Sequence, residues 1–325
     1  MPHASAIILA LSFALPSSAL TQKAATAERS QAPTALPPGQ VKLTYLGNAG
    51  WEITDGRTVI IVDPFVTQFS SYPATGGPVR RSMDDILIPD TATIERRIPR
   101  ADYILVTHAH WDHVLDAPYL ARKTGAVIVG NASVANLARA SNVPDSALIA
   151  VRGGEDYEFG TFSLRVIPSL HSAILHKRYF TTRIGMGDIP RTIKLPARRG
   201  DYMQDGGTMM YLLRIGGQQI LIMGGMNYIE REVEGLRPTI ALIGAIKGGI
   251  GGYDEIYDYI GRLMRALGNP RTVLPTHLDA YGDPAMQPAI AAQRRDFSDE
   301  VHRVSPKTRV IQPTWFEPIV LGVVR

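Results

Sequence analysis

The chain has 325 residues, 45% hydrophobic and 20% charged, enough for a sizeable core in one large α/β domain or two small ones. A formal net charge of +4, with no dominating Lys/Arg block, speaks against a nucleic-acid surface. Cysteine is absent, so disulfides and thiolate sites are excluded, and any metal must be held by nitrogen and oxygen.

The N-terminus stands apart from the rest. Ala6–Leu15 is apolar but far short of the ~20 residues that cross a bilayer. Small residues follow at Ser17 and Ala19, then at Ala25 and Ala27, both acceptable to a signal peptidase. Residues 1–27 are therefore expected to be a signal peptide, residues 28–40 a flexible linker, and residues 41–325 the folded domain. The expected location is periplasmic or secreted. No later stretch is long and apolar enough for a stable membrane span.

From Val41 onward, "VKLTYLGNAGWEIT" and "TVIIVDPF" read as strand runs, with Asp55-Gly56 between them as a hairpin signal. A Pro/Gly/Ser-rich loop follows from Val66 to about Pro89. "ADYILVT" is a strand, "DAPYLARKTG" a short helix capped by Asp116 and stopped by Gly125, "AVIVG" a buried strand and "NASVANLARASN" another helix. Strands resume at "SALIAV" and "YEFGTFSLRVIPS", with Gly160 at a turn, and an irregular stretch runs from His171 to Asp205. "TMMYLLRIGGQQILIMGG" is a hairpin turning at Gly216-Gly217. "TIALIGAI" is a strand, "YDEIYDYIGRLMRALG" an amphipathic helix and "RTVLPTH" a strand ending at a histidine. This order implies two stacked β-sheets with helices on their outer faces. Met209, Met210, Met223 and Met226 read as core filler.

The chemistry concentrates after "ADYILVT". His108, His110, Asp112 and His113 fall within six positions of a chain holding eight histidines in all. They follow the C-terminal end of a strand, where sites in α/β folds gather. His108 and His110, two apart, can face the same way as a chelating pair, and Asp112 and His113 can turn back into a second set. Trp111 either walls a pocket or packs into the core.

"HAHWDH" resembles the HxHxDH motif of the metallo-β-lactamase fold superfamily, and the likeness runs from about Val41 to the C-terminus. That resemblance implies an α/β (α+β) fold, a four-layer αββα sandwich. It implies Asp63, from "TVIIVDPF", as a support of the ligand loop that does not touch metal. It implies His171, 58 positions beyond His113 (171 − 113), and His277, closing "RTVLPTH", as distant ligands. His108, His110 and His171 would hold one ion, and Asp112, His113 and His277 a second. The family's metal-bridging aspartate is replaced here by Gly225; Asn227 is a poor substitute, and Asp279 is expected behind His277. Without the bridge, two divalent ions keep a net charge of roughly +2 in place of +1 and repel with less relief. One tight Zn(2+) site and a second, weaker one are expected.

The implied reaction is metal-assisted hydrolysis: a coordinated water with its pKa lowered to ~7 attacks a carbonyl or phosphorus, and Asp112 orients that water. "HKRYFTTRIGMGDIPRTIKLPARRG" holds seven Lys/Arg against Asp188 directly after His171, either a solvated loop or a lid favouring an anionic substrate. Arg183 and Arg198 are its candidate substrate contacts. "LTYLGNAGWEI", "DGGTMMYLLRIGG" and "PTHLDAYGDP" resemble the lactonase-like and phospholipase D-like branch, which implies a small anionic ester, lactone or phosphodiester. The alternatives are a non-catalytic metal-binding protein of this fold, or an iron-dependent oxidoreductase. The diiron branch carries Glu where His110 stands, and the dioxygenase branch keeps the aspartate that Gly225 replaces. The sequence is silent on oligomeric state.

Overall fold

The computed structural model describes residues 35–69, 82–172, 187–245, 256–278 and 287–322. By its contacts the chain parts into Met1–Pro33 and Thr34–Arg325. The first part, with the expected signal peptide, lies outside the described residues. None of the described helices is long and apolar enough to cross a membrane.

Thirteen strands follow one another as β1 (Gln40–Gly47), β2 (Gly50–Thr54), β3 (Val59–Val62), β4 (Tyr103–Leu105), β5 (Val127–Gly130), β6 (Leu148–Ala150), β7 (Asp156–Glu158), β8 (Phe162–Pro168), β9 (Met209–Ile215), β10 (Gln218–Met223), β11 (Ile240–Gly244), β12 (Thr272–Thr276) and β13 (Arg309–Val310). A last strand, β14 (Pro318–Gly322), closes the series. They form two seven-stranded sheets, ordered β14-β1-β2-β3-β4-β5-β6 and β13-β12-β11-β10-β9-β8-β7. Each sheet is antiparallel in one part and parallel in the other: β3 to β6 run parallel, as do β10 to β13.

Seven α-helices are described: α1 (Thr91–Arg97), α2 (Trp111–Val114), α3 (Ala117–Thr124), α4 (Ala132–Ala140), α5 (Glu230–Val233), α6 (Ile256–Ala266) and α7 (Gln287–Val304). Three apolar clusters show how they layer. Leu43, Trp51, Ile60 and Val62 meet Leu164, Tyr211, Ile222 and Leu274 between the sheets. Ile61, Ile104 and Ile128 face outward against Ile94, Leu120 and Leu137 of α1, α3 and α4. Leu212, Leu221 and Ile243 face Leu263 of α6 and Phe297 of α7. The fold is thus a four-layer αββα sandwich. It explains why "VIIV" of β3 is continuously apolar: successive side chains point to opposite faces, and both faces are buried.

The hairpins at Asp55-Gly56, Gly160 and Gly216-Gly217 lie where the sequence places them, with Gly56, Gly160, Gly216 and Gly217 all at positive φ. Other details differ. The opening run is two strands, folded back at Asn48-Ala49, with Gly47 opposite Gly50. Asp116 stands at the α3 N-cap position but makes no side-chain cap bond there; its carboxylate accepts from Thr67 N (2.9 Å) and Thr67 Oγ1. A buried acceptor that can reach two donors on another segment gains more than one capping bond offers. Met209, Met210, Met223 and Met226 are buried.

Candidate metal centre

Sheet direction sets the position of the site. β1, β3 and β4 run the same way in the first sheet, as do β8, β10, β11 and β12 in the second, and the residues of interest lie just past their C-terminal ends. Asp63 follows β3. Its Oδ1 accepts Thr107 N at 2.7 Å, while its Oδ2 accepts Thr107 Oγ1 at 2.7 Å and His113 Nδ1 at 2.9 Å. Since the Thr107 hydroxyl donates to Asp63, it is left to accept from His108 Nδ1, 3.1 Å away. One carboxylate therefore fixes the tautomers of two imidazoles and leaves both Nε2 atoms as bases.

His110 is the N-cap residue of α2, a single turn that carries Asp112 and His113 round the corner. Its Nε2 donates to Met203 O at 3.2 Å, leaving Nδ1 as the base. The irregular segment that supplies this carbonyl also grips the motif backbone. Ala109 N donates to Asp205 O (3.0 Å), and Asn131 Nδ2 donates to the carbonyls of Asp205 and Gly207 (both 2.7 Å). Trp111 joins the core: its ring packs on Phe65 and Phe69 at 5.2 and 5.0 Å, with the Arg199 guanidinium 5.0 Å from its centroid.

The second sheet supplies His171 and His277. His171 Nδ1 donates to Ser172 O at 2.9 Å and leaves Nε2 as the base. His277 follows β12 at φ 59, with its N–H on Asn48 O at 2.7 Å. Its Nε2 lies 3.4 Å from Asp112 Oδ2.

Two sets of donors result. His108, His110 and His171 each offer a nitrogen within 4.8 Å of the others, and Asp112, His113 and His277 offer atoms equally close. The rings of the first set are 4.6 to 4.9 Å apart between centroids, and His108 and His113 link the sets at 3.9 Å. Burial holds His108 and His110 below the usual imidazole range and His171 down to about 3. These are neutral bases. Burial acts on Asp112 in the opposite sense, yet His113 and His277 beside it outweigh that and hold its carboxyl well below the ordinary range. For His113, burial disfavours the charge, but Asp112 and Asp63 outweigh it and raise the imidazole. His108 Nε2 is buried with no hydrogen-bond partner among the described residues. An orphaned buried nitrogen costs on the order of 1–3 kcal/mol unless something fills it. A divalent cation fits such an unsatisfied nitrogen and this N/O donor set.

Other candidates fall differently. Arg183 and Asp279 lie outside the described residues. Arg198 is 57% exposed and pairs with Asp201 (3.2 Å) and Asp84 (3.8 Å). Gly225 has no side chain to offer, and a Cβ there would meet Ser172 Oγ at 3.0 Å. The sequence reading missed Asn48, whose Nδ2 donates to Asp112 O (2.7 Å) and reaches Oδ2 (3.3 Å). The "GNAG" turn signal was its only trace.

Comparison with known proteins now places the chain. Residues 42–277, well over half of it, match the model of the beta-lactamase superfamily domain, and the protein belongs to that superfamily, in its metallo-β-lactamase fold. A UPF0173 metal-dependent hydrolase of Carboxydothermus hydrogenoformans is 25% identical over 275 residues, spanning 84% of this chain and 97% of the relative. Igni18, a metallo hydrolase from Ignicoccus hospitalis, matches at a TM-score of 0.57 and 17% identity, over 87% of this chain and 99% of that one. CmlA, a diiron beta-hydroxylase from Streptomyces venezuelae, matches at 0.55 and 16% identity, over 88% and 55%. At such identities the structural matches speak to the fold alone.

Proposed function

We propose that this protein is a metal-dependent hydrolase that activates water at the His/Asp centre. The observation that carries the reading is the paired donor sets: six side chains from two sheets converge, and four of the five imidazoles have one nitrogen committed to an acceptor. His108, His110 and His171 would hold the first ion, with Asp112, His113 and His277 the second. A bound divalent ion, zinc in this reading, supplies Lewis acidity and water ionised near neutral pH.

The chain's own residues do the rest. Asp112, ionised throughout the neutral range, accepts a hydrogen bond from the attacking water and orients it. Asp63 keeps His108 and His113 in the tautomers that leave their Nε2 atoms available. Missing the carboxylate at 225, the second set carries less negative charge and is the weaker site. An anionic substrate, a small ester, lactone or phosphodiester, is supported by the Lys/Arg-rich segment after His171 and by the Arg199 cation beside Trp111. Export, with residues 1–27 removed, is part of the same proposal.

The test loads chelator-stripped protein with Zn(2+) and assays lactones, phosphodiesters and neutral esters. Turnover is expected only after loading, with anionic substrates preferred at least tenfold, and with a loss of at least a thousandfold in His108→Ala. Zinc uptake without any turnover would leave a binding protein. Turnover that instead consumes oxygen with iron would make it an oxidoreductase.

A further inference from the structure

We infer that Asn48 is the positioning residue that assembles the second donor set, joining Asp112 of the first sheet to His277 of the second. The inference rests on the metal-centre reading above and concerns how its weaker half is held.

The geometry is specific. Asn48 is buried, 1% exposed, at a turn between β1 and β2 with φ 52. Its side-chain amide donates to the backbone carbonyl and to Oδ2 of Asp112, 64 positions away in sequence. Its own carbonyl accepts the N–H of His277, 229 positions away (277 − 48), at 2.7 Å. The same carbonyl takes Tyr45 Oη at 2.7 Å and Thr276 Oγ1 at 3.2 Å, and Thr276 Oγ1 in turn accepts Trp51 Nε1 at 3.1 Å. One residue thus grips both ligands at once, one through its side chain and the other through its backbone.

A turn role alone accounts for only half of this. Positive φ is served by Gly as well as by Asn, and a glycine would keep the carbonyl that holds His277. What glycine lacks is the amide on Asp112. His277 also stands at positive φ, a conformation that costs a non-glycine residue on the order of 1 kcal/mol and persists only where its surroundings enforce it. The Asn48 carbonyl is such an enforcement. With no carboxylate at 225 to tie the two sets together, the register of Asp112 against His277 depends on this bridge between sheets.

The experiment titrates chelator-stripped wild type, Asn48→Gly and Tyr45→Phe with Zn(2+) by calorimetry, and with Co(2+) followed by its visible absorption. Asn48→Gly keeps the turn and the carbonyl and deletes only the amide. Tyr45→Phe weakens the turn and leaves both ligand contacts. Wild type is expected to take a tight and a weaker equivalent. Asn48→Gly should keep the first within about twofold and lose roughly 10–100-fold on the second, the range seen when a supporting contact behind a ligand is removed. Tyr45→Phe should lower the melting temperature while leaving the second equivalent within about twofold. Equal second-site affinity in wild type and Asn48→Gly overturns the inference and leaves the hydrolase reading standing. So does an equal loss at both sites, or an equal second-site loss in Tyr45→Phe, since either marks a general turn role. A single equivalent in wild type overturns the inference together with the two-site reading.

Discussion

Asp63 spends its entire carboxylate on the motif loop, accepting from Thr107 N, Thr107 Oγ1 and His113 Nδ1. Asp63→Asn keeps the volume but turns one acceptor into a donor, which faces either a hydroxyl proton or an imidazole proton. Metal affinity is expected to fall about 10–100-fold, measured by competition with a chromophoric chelator; unchanged affinity would mean the loop holds itself. Asp116 shows a different balance. Burial pushes its carboxyl up to about 7, opposed by the bonds from Thr67. In the unfolded chain an aspartate ionises near pH 3.9, so between about 4 and 7 the folded state holds a proton that the unfolded state has released. Its contribution to stability is therefore present at low pH and lost as pH rises through 7, by roughly 4 kcal/mol at the upper limit. His171, held low, works in the opposite sense, losing stability as pH falls below ~6.5. The comparison must be differential for that reason. The melting temperature of Asp116→Asn minus that of wild type is expected to increase from pH 5 to pH 8. A flat difference would place the ionised carboxylate comfortably in its pocket.

At the scale of elements, strands that lie wholly inside the sandwich and hairpins with glycine at positive φ were legible, because burial on both faces and turn geometry each leave a local signature. The "HAHWDH" run displays four of the six clustered donors, and His171 and His277 are singled out only through the resemblance to the metallo-β-lactamase fold, each lying after a strand pattern. What was not legible is non-local. β14 owes its place to β1, pairing Leu43 with Ile319 across most of the chain. Asn48 sits in an ordinary turn signal, and its grip on Asp112 and His277 exists only after both sheets stack. Asp116 occupied a good capping position, and only the fold shows Thr67 within reach. The β10 end holds two adjacent glycines whose roles the structure separates. A Cβ on Gly224 would fall 2.0 Å from Thr107 Oγ1 and 2.8 Å from Asp63 Oδ2, while one on Gly225 meets Ser172 Oγ at 3.0 Å. Gly224→Ala is expected to lose metal binding and several kcal/mol of stability, and Gly225→Ala to lose about 1 kcal/mol or less. Matching melting temperatures and metal contents for the two would contradict this packing.

Across the whole molecule, the donors divide between the sheets: His108, His110, Asp112 and His113 follow β4, whereas His171 and His277 follow β8 and β12. A ligand that binds only this assembled arrangement raises stability by mass action, by about 2.7 kcal/mol at a hundred times its dissociation constant. Zinc is therefore expected to raise the melting temperature in proportion to the logarithm of its concentration; a midpoint indifferent to zinc would deny that the centre forms. The far rim of the sandwich is fastened without metal, by Thr58 Oγ1 and Thr161 Oγ1 at 2.7 Å and by Gln218 Nε2 on Gly39 O at 2.7 Å. The two leaves are thus pinned at one margin by hydroxyl and amide contacts alone, while at the other the Asn48–His277 and Ala109–Asp205 backbone bonds are reinforced by the latch of whatever cation lodges there. Stripping the cation should let the latched margin breathe while the pinned one stays shut, so faster amide deuteration would spread from Thr107–His113 and His277 and spare Asp55–Thr58.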